Sequence, residues 1–111
     1  MSRPSDLVQG TLELLLLKIV ALEPLHGCAI ARRLRQVSGD VLQVSEGSRD
    51  PALHKLELEG WLTATWQISD TGRRAKFCAL SRAGRRALDW EMADWDRLSG
   101  AISRVVKVKE L

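Results

Sequence analysis

The chain has 111 residues, 45% of them hydrophobic, and a formal net charge of +3, which suits one ordinary domain that is small enough to gain from dimerisation. Its start, Met1 to Asp6, is polar, and its longest apolar run, TLELLLLKIVAL, contains two charges and is shorter than the roughly 20 residues of a membrane span. From these features we expect neither a signal peptide nor a membrane segment, and we predict a cytoplasmic protein.

A first helix is predicted from about Ser5 or Asp6 to a break before Pro24, because apolar residues recur at helical spacing over this stretch. Leu14 and Leu17 add a second apolar side, so most of the helix circumference is apolar. A helix of this kind is buried by more than one neighbour. In a chain this short, we expect some of those neighbours to come from another subunit.

Two shorter helices follow, from about His26 to Val37 and from about Ser48 to Glu59, with an extended piece at residues 41–44 between them. Gly60 stands where a helix C-terminus favours glycine. On a helical wheel the third helix has a core side and an opposite side free for contacts. The core side contains Ala52, Leu53 and Leu56.

The stretch Trp61 to Leu80, WLTATWQISDTGRRAKFCAL, predicts two strands joined by a turn at residues 69–72. The tip and exit of this hairpin are basic, with Arg73, Arg74 and Lys76. Residues 61–86 hold six Lys or Arg against one Asp, whereas each flank has one more acidic than basic residue. A local excess of this kind points to a polyanionic partner.

A last helix is predicted from just after Ser81 to about Ser103 or beyond. One apolar stripe follows it, made of Leu88, Met92, Trp95, Leu98, Ile102 and Val106. Trp90 lies about 140° away from Trp95 around the helix and faces a different neighbour. A long helix with two apolar sides is typical of a dimerisation arm. The order of elements is therefore α-α-α-β-β-α, and the fold class is mainly α (α+β).

Helices two and three followed by a basic hairpin form a winged helix-turn-helix, in which the third helix enters the major groove and the wing contacts backbone or minor groove. The elements QGTL, PLHG, PALHKLE, EGW and GRRAKF also occur in this order. With these motifs the chain resembles the PadR family of bacterial transcriptional regulators, in the short form with a single C-terminal helix. The resemblance runs from about Leu7 to Ile102.

The resemblance implies a winged helix-turn-helix at residues 1–81 and a dimerisation helix at residues 82–111, within one compact unit. It implies a homodimer that presents two recognition helices to an inverted-repeat operator in double-stranded DNA, most commonly as a repressor. The expected DNA-binding residues are Ser48, Arg49, Pro51, His54, Lys55, Arg73, Arg74 and Lys76. The expected dimer interface contains Leu14, Leu17, Leu88, Met92, Trp95, Leu98 and Ile102.

Three positions depart from the family pattern. Arg49 and Asp50 replace the usual Leu-Tyr, and Cys28 replaces a tyrosine. The wheel puts Arg49 on the core side, so we expect its stem to pack while its guanidinium reaches outward. Asp50 before Pro51 is a good N-cap and first-turn pair, which would move the start of the third helix.

Three further alternatives remain open at this stage. Some family members hold flat aromatic ligands at tryptophans, and Trp90 or Trp95 would serve that role here, although packing is the stronger explanation for a tryptophan on an apolar stripe. Cys28 and Cys78 are expected to be reduced structural thiols inside apolar patterns, with a thiol or metal sensor as the alternative. A winged helix that binds protein is the other alternative. No catalytic motif, cofactor motif or metal cluster is present, so we expect no enzyme.

Overall fold

The structure of the protein, a computed structural model, describes the backbone of residues 4–110 and the side chains of residues 11–110. It is mainly helical with a small antiparallel sheet, so the predicted fold class is confirmed. The elements are α1 (Pro4–Leu22), β1 (Leu25–His26), α2 (Gly27–Val37), α3 (Glu46–Leu58), β2 (Leu62–Ile68), β3 (Arg74–Leu80) and α4 (Arg82–Val106). No helix within residues 4–110 is long and apolar enough to cross a membrane.

The sheet contains one strand that the sequence did not predict. The strand order is β1-β3-β2, with all pairs antiparallel. β1 is only two residues long, and Leu25 and His26 pair with Cys78 and Phe77 of β3. A two-residue strand after Pro24 is too short to produce a recognisable alternation, which explains why it was missed.

α1 is the centre of the hydrophobic core. It contacts α2, α3, α4 and β3 of the same chain, which confirms that several neighbours bury it. Two apolar residues of the predicted first helix, Leu7 and Val8, lie outside the described side chains. The largest fully buried side chains of the described part are Leu12, Leu16, Leu17, Ile30, Leu56 and Leu88.

α3 begins earlier than predicted. Ser45 is its N-cap, and the Ser45 hydroxyl accepts a hydrogen bond from the Ser48 N–H at 3.2 Å. The helix therefore starts at Glu46, and the expected start at Asp50 and Pro51 is wrong. Pro51 lies inside the helix and, lacking an N–H, provides no helical donor for the carbonyl four residues before it. Residues 41–44 form no strand.

α4 is capped by Ser81, whose hydroxyl accepts from the Gly84 N–H at 3.0 Å, and it runs for 25 residues. Only Gly84 and Leu88 of this helix are buried in the single chain. Leu17 and Leu88 were expected at a dimer interface, but both have no exposed surface and belong to the core of their own chain. That expectation is corrected for these two residues, since a fully buried side chain has no surface left for a partner.

The hairpin and α4 meet at a close backbone contact. The Ser81 N–H donates to the Trp61 carbonyl at 3.1 Å, and the Ser81 hydroxyl donates to the Gly60 carbonyl at 2.6 Å. One turn into α4, a Cβ placed on Gly84 would lie 2.0 Å from the same Trp61 oxygen. Only glycine fits at this position, so the start of α4 is fixed against the root of β2.

Replacing Gly84 with alanine should therefore destabilise the fold, by about 3 kcal/mol, because the new methyl group overlaps the Trp61 carbonyl. The matched control is Gly100→Ala in the same helix, where the nearest atom to the added Cβ is an Arg104 guanidinium nitrogen at 3.7 Å. That control should raise the free energy of unfolding by about 0.5–1 kcal/mol through helix propensity. Urea unfolding at one protein concentration measures both, and equal stability of the two variants would contradict the close contact.

Candidate nucleic-acid interface

α3 has one buried and one exposed side, as predicted. Ala52, Leu53 and Leu56 are buried in the core. On the opposite side Pro51, His54, Lys55 and Leu58 are exposed, and Ser48 is half-buried near the start of the helix. The outward side therefore offers an imidazole, an ammonium group and a hydroxyl to a partner.

The Arg49 side chain lies inside the protein instead of reaching out to solvent. It is 8% exposed, and its Nε donates to Asp50 Oδ1 at 2.9 Å. Arg49 also lies close to the start of α2, because a Cβ added to Gly27 would be 3.0 Å from the same nitrogen. The expectation that the guanidinium reaches outward is corrected: the charge is held beside Asp50 and over Gly27.

Two lysines of the expected DNA surface are already paired with carboxylates. Lys55 binds Glu13 of α1, and Lys76 Nζ of β3 lies 2.7 Å from Glu57 Oε2 of α3. The hydrogen bond to Glu13 raises the pKa of Lys55, and the hydrogen bond to Glu57 raises the pKa of Lys76. Both lysines stay charged, but each charge is balanced by its partner.

The Glu57–Lys76 pair joins α3 to the hairpin. Both side chains line a cleft of about 250 Å³ between α3 and β3, together with His54 and Asp50. Because the pair is about one third exposed on each side, its own contribution to stability is small. Its geometric effect is larger, since it fixes the hairpin beside the exposed side of α3.

The turn of the hairpin is ordered by Ser69. The Ser69 N–H and hydroxyl both donate to the Arg73 carbonyl, at 2.7 and 2.9 Å, and the Gly72 N–H donates to the Ser69 carbonyl at 2.9 Å. Gly72 has a φ of +83°, a conformation that favours glycine. These bonds bury Ser69 and hold the turn in one shape.

The two arginines at the tip are exposed. In contrast to the paired lysines, no carboxylate within the described side chains forms an ion pair with Arg73 or Arg74. The Arg74 guanidinium carbon lies 5.2 Å from the centre of the Trp66 ring, which is a cation–π contact. The hairpin therefore presents two cations on a stiff turn.

The C-terminal part of α4 carries an uncovered apolar stripe. Trp90, which is 69% exposed, lies on a second side of the helix, while Leu14 of α1 is half-buried against the core. The helix ends at Val106, which agrees with the predicted end at about Ser103 or beyond. The exposed residues of the stripe are Met92, Trp95, Leu98, Ile102 and Val106.

The two cysteines differ from each other. Cys78 is buried, and burial raises the pKa of its thiol. Cys28 is exposed, so the expectation that both thiols lie in apolar surroundings is wrong for Cys28. Among the described side chains, no group of three or more His, Cys, Asp or Glu residues is placed to hold a metal ion.

Sequence reasoning missed the carboxylates that decide which cations are available. Glu13 and Lys55 are 42 residues apart, and Glu57 and Lys76 meet only once the hairpin folds back onto α3. No local pattern predicts either pair. Trp66 was predicted only as a strand residue, although an aromatic residue close to a basic turn was a signal for a contact surface.

Comparisons with known proteins agree with this geometry. The model of the transcriptional regulator PadR-like family matches residues 16–90. An uncharacterized 37.1 kDa protein in transposon TN4556 of Streptomyces fradiae is 37% identical over 90 residues, which is 81% of this chain. This chain spans about a quarter of the length of that relative, 24%.

Solved structures share the fold. A transcriptional regulator from Clostridium thermocellum has a TM-score of 0.83 at 18% identity, over 92% of this chain and 99% of that one. A PadR-like transcriptional regulator from Bacillus cereus has a TM-score of 0.80 at 23% identity, over 94% and 99% of the two chains. A PadR-like transcription factor from Bacteroides fragilis has a TM-score of 0.72 at 26% identity, over 91% and 95%.

The buried arginine allows a test of its pairing. Asp50→Ala should lower the free energy of unfolding by about 1–3 kcal/mol, because it leaves a buried guanidinium without its acceptor. Arg49→Leu should stay within about 1 kcal/mol of the parent, since an apolar side chain in the buried position has no charge that needs an acceptor. Asp89→Ala, which removes an exposed carboxylate from α4, is the control. Equal effects of Asp50→Ala and Asp89→Ala in urea unfolding would contradict the pairing.

Proposed function

The chain belongs to the PadR-like family of transcriptional regulators, and from this we propose that it binds an inverted-repeat DNA operator as a homodimer and represses transcription. The observation that supports the proposal best is the Glu57–Lys76 pair at 2.7 Å, which holds the cationic hairpin beside the exposed side of α3. A recognition helix with a wing fixed next to it contacts a duplex on two elements at once.

In this proposal α3 reads the bases. His54 and Pro51 are exposed in the middle of the helix, and Ser48 lies in its first turn, where hydroxyls and N–H groups suit phosphate. Asp50 is 56% exposed and would repel a phosphate on its own, but Arg49 balances its charge. Arg49 therefore stabilises the proposed DNA-binding surface from inside the protein. A direct contact between Arg49 and DNA would require Arg49 to separate from Asp50.

In this proposal the hairpin provides the contacts to the DNA backbone. Arg73 and Arg74 are exposed cations on an ordered turn, and each would displace counterions from a phosphate. Lys55 and Lys76 contribute less to phosphate binding, because Glu13 and Glu57 already balance their charges. Binding should therefore be salt-dependent, with the arginines contributing most of the dependence.

Dimerisation would use α4. The exposed stripe on this helix has no cover in the single chain, and a partner helix would remove it from water. A two-fold axis between the copies would then place two recognition helices on two half-sites.

Relief of repression by a small ligand is part of the proposal. Trp90 and Trp95 are both exposed on α4, and an aromatic compound would stack on an exposed indole at the subunit contact. Because Trp95 lies on the same stripe as Leu98 and Ile102, a ligand there would act directly on the packing of the dimer.

Selection from a random duplex library tests the proposal most directly, because it asks for binding, half-site spacing and sequence together. Fluorescence anisotropy with the selected duplex at 50 and 200 mM salt then gives the salt dependence. Binding that is weak and equal for all duplexes, or that does not change with salt, would contradict the proposal.

The hairpin arginines and the paired lysine should differ in their effect on salt dependence. Arg73→Gln should lower the slope of log K against log salt by about 0.9 for each wing that contacts DNA, because one phosphate contact is lost. Lys76→Gln, the same change three residues away, should lower it by clearly less, since the charge of Lys76 is balanced by Glu57. Equal slopes for the two variants in anisotropy titrations would show that Lys76 also contacts phosphate.

The dimer contact can be tested by placing the same charge first inside the apolar stripe of α4 and then next to it. Ile102→Glu places a carboxylate in the exposed stripe and should convert the dimer to a monomer, because a buried unpaired charge is costly. Ser103→Glu adds the same charge at the neighbouring exposed position and should leave the dimer intact. Analytical ultracentrifugation measures both, and a dimeric Ile102→Glu variant would place the contact elsewhere.

A further inference from the structure

Half of the positive charge of residues 61–86 lies beyond the root of the hairpin and not at its tip. Three of the six basic residues in this stretch, Arg82, Arg85 and Arg86, belong to the beginning of α4, and all three are exposed. β3 separates them from the hairpin turn by about 20 Å, because a strand rises about 3.3 Å per residue. We call this group the root arginines. The contacts proposed for the hairpin tip leave them without a role.

The root arginines do not stabilise the helix that carries them. Within the described side chains, none of the three forms an ion pair, and the first turn of α4 has no acidic residue. The helix macrodipole disfavours cations at a helix N-terminus. The cap of this turn is supplied by the uncharged Ser81 hydroxyl. The positive charge of the root arginines is therefore available to a partner.

An open apolar groove of about 520 Å³ lies beside two of these arginines. The end of α1, the connection to β1, the end of β3 and the start of α4 form it. Leu22, which is 52% exposed, Pro24 and Leu80 provide apolar surface, and Arg82 and Arg85 also line it. We use the name basic groove for the surface formed by these five residues. No residue of α3 or of the hairpin turn lines it.

Charge identifies the kind of partner that fits the basic groove. The one carboxylate among its lining residues, Glu23, is paired with Arg33 and does not balance Arg82 or Arg85. A matching surface must therefore offer carboxylates together with apolar side chains. An acidic peptide segment that also contains large apolar residues has both, and arginine binds carboxylates through two parallel N–H donors.

Other occupants fit the groove less well. Residues 107–110 of a second copy, KVKE, contain two lysines against one glutamate and would meet Arg82 and Arg85 with like charge. Duplex DNA would pair with the arginines but would leave Leu22 and Pro24 uncovered by apolar side chains. A small molecule is bound best where the protein encloses most of its surface, whereas this groove is open.

We propose that the basic groove binds an acidic peptide segment of another protein, with carboxylates on Arg82 and Arg85 and an apolar side chain against Leu22, Pro24 and Leu80. This inference goes beyond the proposed function and does not require the chain to bind DNA. A segment bound there contacts the end of β3 and the start of α4. The partner would thus reach the root of the hairpin while the exposed side of α3 stays free.

The first experiment selects ligands from a displayed library of random short peptides. The full chain is the target, and the double variant Arg82→Gln/Arg85→Gln is used for counter-selection. The enriched peptides should contain Asp or Glu next to Leu, Phe or Trp, because these side chains match the two kinds of surface in the groove. Replacing the carboxylates of a selected peptide with amides should abolish its binding.

Fluorescence anisotropy with one selected peptide then tests the residues of the groove. Arg85→Gln and Leu22→Ser should each bind this peptide about fivefold more weakly, because the first removes a charge pair and the second an apolar contact. The matched controls are Arg104→Gln, in the last turn of the same helix, and Leu58→Ser, on the exposed side of α3. Both controls should bind the peptide as the parent does.

Nuclear magnetic resonance locates the bound peptide on the parent chain. The amide signals of Leu22, Ala79 and Arg85 should shift on titration, while those of His54 and Arg73 should stay in place. Thermal unfolding verifies the fold of each variant. If Leu22→Ser unfolds, Arg85→Gln provides the test, since its side chain is exposed and forms no ion pair among the described side chains.

Several results would overturn the inference. Selection that enriches no peptide over the counter-selected variant, or that enriches neutral or basic peptides, would show that the groove does not recognise acidic segments. A change of oligomeric state in Leu22→Ser would assign the groove to a second copy. If Arg85→Gln weakens binding to the selected duplex as much as Arg73→Gln does, the root arginines belong to the DNA contact. Absence of salt-dependent binding to any duplex would refute the proposed function and leave the peptide result unchanged.

Discussion

The burial of α1 on nearly all sides is the constraint on which the rest of the structure depends. Leu12, Leu16 and Leu17 have no exposed surface, and their helix contacts α2, α3, α4 and β3. One small domain has one core, and here that core surrounds α1. The 25 residues of α4 span about 37 Å, which is more than this core can cover, so only the start of α4 is buried.

The hairpin, like α4, extends beyond the part of the chain that the core can bury. Its root is fixed by Leu62 in the core and by the contact between Trp61 and Gly84, while Trp66 and Ile68 toward its tip are exposed. The two elements that extend beyond the core carry two of the proposed contacts, an apolar contact on α4 and a cationic contact on the hairpin. The Glu57–Lys76 pair links the hairpin to α3, so the proposed wing lies beside the proposed recognition helix.

Much of this fold follows from periodicity, and the parts that do not follow have identifiable causes. The helices, the core side of α3 and the hairpin were predictable because each repeats its pattern over several turns or strand pairs. The two-residue β1 has no pattern, and the start of α3 was missed because Ser45 supplies the cap ahead of an internal Pro51. An apolar stripe also cannot distinguish its own core from a partner, and Leu88 was misassigned for that reason.

The candidate site was less predictable, because charge in a sequence gives the number of cations but not their partners. Arg49 and Asp50 illustrate this most clearly. Considered separately, a cation in a recognition helix would strengthen DNA binding, and an anion there would weaken it. In the structure they are bonded to each other, and the guanidinium lies over Gly27 inside the protein. The two unusual charges therefore balance each other, and the proposed base contacts of α3 fall to its exposed neighbours, above all His54.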